Sequence, residues 1–188
     1  AQSLGIPTHI VDYRDFKGNQ DGFGAKILEI LRSHEITAVT QNGFIRYTPD
    51  NLREAYEGAI FNQHPGIVPE FGGKGMIGLN VHRAVIAFRK KLYEIYGGEM
   101  KYTAVIAQYV GKTYDSGAVV GYELVEVRHD DDPEMLQNRA LPAEYSVQLQ
   151  LLRDIASGSV KKIVLPQLVA PEHTSLLHQI KYEVTGFG

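Results

Sequence analysis

The sequence has no cysteine in 188 residues, which excludes disulfides and thiolate metal sites and permits a reducing compartment. No run of Lys and Arg stands out in it. With a net charge of −3 and a pI near 6.2, it carries no electrostatic footprint for nucleic acid or an anionic membrane. No apolar stretch approaches the roughly 20 residues that span a bilayer, and the first residues lack the basic-then-apolar pattern of a signal peptide. Internal repeats and low-complexity segments are also missing. The chain is 44% hydrophobic, long enough for one domain with a real core and too short for two. It reads as soluble and cytoplasmic.

What is present is organised around FNQHPGIVPEFGGKGMIGLNVHRA, residues 61–84. If 59–62 ends a strand and the chain stays extended, Asn62 and His64 point to the same side, and Pro65 favours that extended geometry. An amide and an imidazole side by side at a strand end can stabilise an oxyanion and move a proton. The glycines at 72, 73, 75 and 78 look like a phosphate cradle, but Lys74 is not followed by Ser or Thr, so a P-loop is improbable.

The elements predicted around this stretch alternate between strands and helices. Residues 1–5 read as the last turn of a helix stopped by Gly5, followed by a strand at 8–12. An amphipathic helix at 22–33 leads to a strand at 36–41, apolar enough for burial on both faces of a parallel sheet. Thr48 as N-cap and Pro49 at the first helical position start a helix at 49–56. After the central stretch, Val81, Val85, Phe88, Leu92 and Ile95 form a helical stripe ending at Gly97. Strands follow at 102–110 and 118–127. Asp130, Asp131 and Asp132 before Pro133 resemble a metal cluster, yet acids before proline are a common helix start, and that plainer reading is preferred. A helix at 134–140 breaks at Pro142, and a second carries Tyr145, Leu149, Leu152 and Ile155 to Gly158. Residues 161–166 and 179–184 can pair as a C-terminal β-ribbon. The domain proper is thus 1–158, with 159–188 an extension.

The residues N-x-H-P, x-x-x-P-x-F-x-G-K-G and V-H-x-A, followed by Tyr-Asp-Ser-Gly-Ala at 114–118, resemble in order the folate-dependent formyltransferases, most closely the glycinamide ribonucleotide branch. The resemblance runs from Gly5 to about Ile155. It implies an α/β fold with a mostly parallel Rossmann-like sheet flanked by helices, here without the family's first strand–loop–helix–strand. A companion N-terminal segment or a second copy could cover the edge this leaves. The implied reaction passes a formyl group from 10-formyltetrahydrofolate, a co-substrate, to the amine of glycinamide ribonucleotide, with no metal. Asn62, His64 and Asp115 are implied as the catalytic set. Ile45, Arg46 and Tyr47, with Val110, Gly111 and Lys112, are implied at the pterin. Glu144 and Leu141 are implied at the acceptor's ribose, and His82 at substrate. Without the resemblance, Arg46 is a surface residue at a helix start and Glu144 a carboxylate near a helix start, while for His82 a helix-capping or core role stands level with the substrate contact. The glycine segment is implied as a mobile cover over substrate.

Two departures from the family pattern stand out. Gln108 occupies a position where a histidine is usual, and it can hydrogen bond but cannot titrate. The connection at 89–101 is longer than usual. Two alternatives share the same residues: a formyltetrahydrofolate hydrolase that passes the group to water, and a non-catalytic member that binds folate.

Overall fold

A computed structural model of the protein describes residues 1–187. The chain divides into two units, Ala1–Val39 with Arg46–Ile60, and Thr40–Ile45 with everything from Phe61 onward. In the smaller unit the short turn Gln2–Leu4 is closed by Gly5 at φ 69°, as expected. Helix α1 (Gln20–Ser33) begins where the Asn19 side chain accepts the Gly22 N–H, and it buries Phe23 and Leu28. Phe23 meets Tyr13 and Phe16 edge-on, with ring centroids 5.2 and 5.5 Å apart. Helix α2 (Asp50–Ala55) packs against α1, and the close approach needs Gly24, whose Cβ would stand 2.7 Å from that of Pro49.

Three expectations fail in this region. The strand at 8–12 does not form: Ile10 is 98% exposed, and no strand among the described residues pairs with this segment. The strand at 36–41 shrinks to β1 (Val39–Gln41), with Val39 and Thr40 only half-buried and Ile36 exposed, so it is not covered on both faces. The cap of α2 falls on Pro49 rather than Thr48.

The sheet has the order β1-β2-β3-β4, with β2 at Ile60–His64, β3 at Tyr102–Tyr109 and β4 at Val119–Glu126. The α/β class holds, but the sheet is mixed rather than mostly parallel, because β2–β3 and β3–β4 both pair antiparallel. Apolar runs such as 103–107 fit either direction, since burial on both faces does not depend on strand polarity. Helix α3 (Leu79–Tyr96) buries Val81, Ala84, Val85, Phe88 and Leu92 and stops at Gly97, φ 63°. Ile95 leaves the stripe and is exposed. Most of the 89–101 connection is helix, since 89–96 lies inside α3.

Helix α4 (Pro133–Ser157) runs through Pro142 without the expected break. The proline gives up one helical hydrogen bond, while Leu136, Ala140, Ala143, Val147 and Leu151 hold one continuous buried face. Tyr145, Leu149 and Leu152, which marked the expected second helix, lie within α4 and are exposed. The acidic run is a helix start: Asp132 accepts the Met135 N–H at 2.7 Å. Asp131 takes Arg139 at 2.7 and 2.6 Å and the Arg128 N–H at 2.7 Å. In place of the β-ribbon, residues 161–166 are irregular and α5 (Thr174–Thr185) packs on α3. Leu176, Leu177 and Ile180 are its buried side, a helical spacing.

The two faces of the sheet have different covers. A Cβ at Gly121 would touch Val147 of α4 and Ala107 of β3, so α4 lies on the face that Ala107 shares with Gln63, its partner in β2. A Cβ at Gly66 would meet Val81 of α3 at 2.5 Å and His64 Nε2 at 3.5 Å, so the start of α3 lies on the His64 side. Among the described residues no helix is long and apolar enough to cross a membrane.

Candidate active site

The strand alternation aims the first group of residues. Along β2, Asn62 and His64 face one side and Gln63 the other. The β2–β3 register sets Asn62 opposite Gln108, so Gln108 joins the Asn62 and His64 face. A bulge in the β3–β4 ladder falls between Ala107 and Gln108.

His64 is 4% exposed. Its Nε2 lies 2.8 Å from the Phe71 carbonyl oxygen. A carbonyl can only accept, so Nε2 carries the hydrogen and donates it. That leaves Nδ1, 3.6 Å from Asp115 Oδ1, as the atom that gains and loses a proton. When Nδ1 is protonated, the Asp115 carboxylate is its counter-charge.

Asp115 sits at φ 51° in the loop between β3 and β4, a left-handed conformation that costs a non-glycine residue on the order of 1 kcal/mol. The surrounding loop holds it there. A Cβ at Gly117 would fall 1.6 Å from the Tyr109 oxygen, so only glycine fits. Ser116 donates its hydroxyl to the Thr113 carbonyl at 3.0 Å. The carboxylate is gripped at both oxygens: Oδ1 accepts the Gln108 Nε2–H at 3.0 Å and Oδ2 the Gly73 N–H at 2.8 Å. Gly72 allows this approach, because a Cβ there would stand 2.7 Å from that of Asp115. Gly72 and Gly73 are therefore a seat for Asp115. Gln108, 1% exposed, spends its amide N–H on Asp115 and leaves Oε1 without a hydrogen-bond partner among the described residues.

The other candidates are placed as follows. Val110, Gly111 and Lys112 lie in the loop that carries Asp115. Ile45 is 63% exposed. In the smaller unit, the Arg46 guanidinium stacks 3.9 Å above the Tyr13 ring, and Tyr47 donates its hydroxyl to Asp50 at 3.0 Å. Burial and the Asp50 carboxylate push the Tyr47 phenol up. Glu144 and Leu141 are on α4, and the Glu144 backbone oxygen accepts from Gln63, so they lie across the sheet from His64. Burial raises the Glu144 carboxyl. His82 is fully buried, neither capping nor open to substrate, and both ring nitrogens lack partners among the described residues. Burial, and then the charge of His64, lowers it to about 4, so it is neutral at pH 7. The Phe71 oxygen and the Gly73 N–H could not be read from residue types, because backbone groups are aimed by loop geometry.

The fold and this cluster define an α/β domain with a proton-handling centre of imidazole, carboxylate and amide beside one strand. The chain belongs to the formyl transferase family, whose model matches residues 1–152. It is 28% identical over 162 residues to the chloroplastic phosphoribosylglycinamide formyltransferase of Arabidopsis thaliana, covering 86% of this chain and 52% of that protein. It is also 28% identical over 156 residues to phosphoribosylglycinamide formyltransferase of Bacillus subtilis (strain 168), covering 81% and 72%. The solved structure of phosphoribosylglycinamide formyltransferase from Coxiella burnetii superposes with a TM-score of 0.69 at 25% identity, over 84% of this chain and 67% of that one. The chain spans about half the length of the plant relatives it matches.

Proposed function

We propose that this chain transfers the formyl group of 10-formyltetrahydrofolate to the amine of glycinamide ribonucleotide, a step of purine biosynthesis, as a soluble cytoplasmic enzyme. The observation that carries this reading is the His64 ring, fixed through Nε2–H on Phe71 with Nδ1 turned to Asp115. In the proposed reaction the acceptor amine attacks the formyl carbon and a tetrahedral intermediate forms. The Asn62 amide donates to the oxyanion, which is worth most in a site closed to water. The proton lost by the amine passes to His64 Nδ1 beside Asp115. The bond from carbon to N10 then breaks, N10 takes up a proton, and tetrahydrofolate leaves. Ile45, Arg46 and Tyr47, with Val110, Gly111 and Lys112, are assigned to the pterin, and Glu144 with Leu141 to the ribose of the acceptor. His82 receives no substrate role.

The test is formyl transfer from 10-formyltetrahydrofolate to glycinamide ribonucleotide, with His64→Ala as control. The expected result is transfer that falls roughly 10²- to 10⁴-fold in the variant. Formate release that needs no acceptor would replace the transferase with the hydrolase. Folate binding without either reaction would make the chain a non-catalytic member.

A further inference from the structure

We propose that the C-terminal helix α5 is a working part of this site and that its Lys181 is a positioning residue for Asp115 and His64. The helix lies beyond residues 1–152, which the family model matches. Its contacts run along the glycine segment that seats Asp115. The Lys181 ammonium is 3.9 Å from where a Cβ of Gly73 would stand, and Gly73 is the residue whose N–H holds Asp115 Oδ2. Further along, a Cβ at Gly75 would meet Thr185 and Phe187 at 2.9 Å each. Lys74, on the same segment, places its ammonium 4.3 Å from the centre of the Phe187 ring. The segment is thus enclosed by Asp115 on one side and α5 on the other.

The charges around Lys181 give it a task. It is half-buried, next to the fully buried Ile180, and has no ion pair within 4.0 Å among the described residues. Burial pushes its ammonium down, and the Asp115 and Glu70 carboxylates pull it up. Glu70 Oε2 is itself buried without a hydrogen-bond partner among the described residues. Of the other charged or titratable groups nearby, Lys74 is engaged by Phe187 and His82 on α3 is neutral. On α5, His178 and Glu183 are exposed, and in the turn before it His173 stacks on Tyr96 of α3. Asp115 Oδ1 faces His64 Nδ1 at 3.6 Å, and its negative charge acts on that ring and on Lys181 alike. A cation near Asp115 shares the charge of that carboxylate, so that Nδ1 can give its proton back as well as take it.

The experiment is an NMR titration of the His64 ring, identified among the 7 histidines by its loss in His64→Gln. It is made in the unaltered chain, in Lys181→Met, which keeps the packing stem, and in Lys181→Arg, which keeps the charge. The expected result is a His64 midpoint raised by about half a pH unit in Lys181→Met at low salt and unchanged in Lys181→Arg. The kinetic counterpart rests on the formyl-transfer reading: the acid limb of the rate moves up by the same amount, with KM unchanged. A midpoint that does not move in Lys181→Met overturns the proposal, also where the KM for the acceptor rises, since that makes Lys181 a ligand contact. The titration needs no turnover. An inactive chain whose midpoint still moves removes the transfer reading and leaves Lys181 in its role.

Discussion

Asp131 is buried and Asp115 partly buried, and the two aspartates are held in opposite ways. Asp131 has a side chain of 0% exposure and faces a full set of donors, two nitrogens of Arg139 and the Arg128 N–H. Burial pushes it up, but the Arg139 hydrogen bonds, then the Arg128 N–H and both positive charges, hold it below the usual carboxylate range. Asp115 has a side chain of 10% exposure, a left-handed backbone and two neutral donors, with an imidazole nitrogen at 3.6 Å, beyond a direct hydrogen bond. A carboxylate tied down by a guanidinium fork and a backbone N–H serves the fold. One held by an amide and a backbone N–H, with room beside it for a mobile proton, can serve a reaction.

The largest expected effect comes from breaking the less committed member. Asp115→Asn keeps the turn, since asparagine also tolerates the left-handed region. It should lower formyl transfer by roughly 10²- to 10⁴-fold and leave urea unfolding within about 1 kcal/mol of the unaltered chain. Equal losses of rate and stability would erase the distinction between the two aspartates.

The converse is Arg139→Met. It strands Asp131 and should cost about 3 kcal/mol in urea unfolding at pH 7, with the transfer rate per folded molecule unchanged. The sign with pH follows from a depressed native pKa. The pair's stabilisation is present above the unfolded carboxylate value and lost as pH falls through the native one, so the variant should lose part of the acid sensitivity of the fold.

His82 extends the contrast to a buried base with no hydrogen-bond partner among the described residues. Its value is lowered to about 4 in the fold, against about 6.5 when unfolded. The native state therefore binds fewer protons between those values, and stability falls as pH drops through that window. Urea unfolding should show a loss of about 2 kcal/mol between pH 7 and 4.5. His82→Leu should flatten it, and an unaltered slope in that variant would place the sensitivity elsewhere.

How much of this was legible in the sequence depended on whether a pattern was local. The stripe Val81, Val85, Phe88 and Leu92 declared α3, and acids before Pro133 declared the start of α4. Asn62, His64 and Asp115 could be named from their spacing and the family resemblance, and the structure brings His64 and Asp115 together on the face that Asn62 shares. Three other features depended on distant partners. Pro142 reads as a breaker because its lost hydrogen bond is local, while the packing of Ala140 and Ala143 that outweighs it is not. The C-terminal residues 179–184 read as a strand, but Leu176, Leu177 and Ile180 find the side of α3. Lys181 gave no signal at all, being one lysine on a helix whose position only the packed chain decides.

The β2–β3 register has a consequence for inheritance. Adjacent residues of β2 belong to different layers, with His64 toward α3 and Gln63 toward α4. Losing or gaining one residue between Ile60 and His64 would exchange their sides, delivering a glutamine to Asp115 and a histidine to the Glu144 carbonyl. Substitutions in β2 can be tried one at a time, but a change of length moves the whole reading frame of the site. Insertions and deletions should therefore accumulate in the loops of this lineage and leave these few residues uninterrupted.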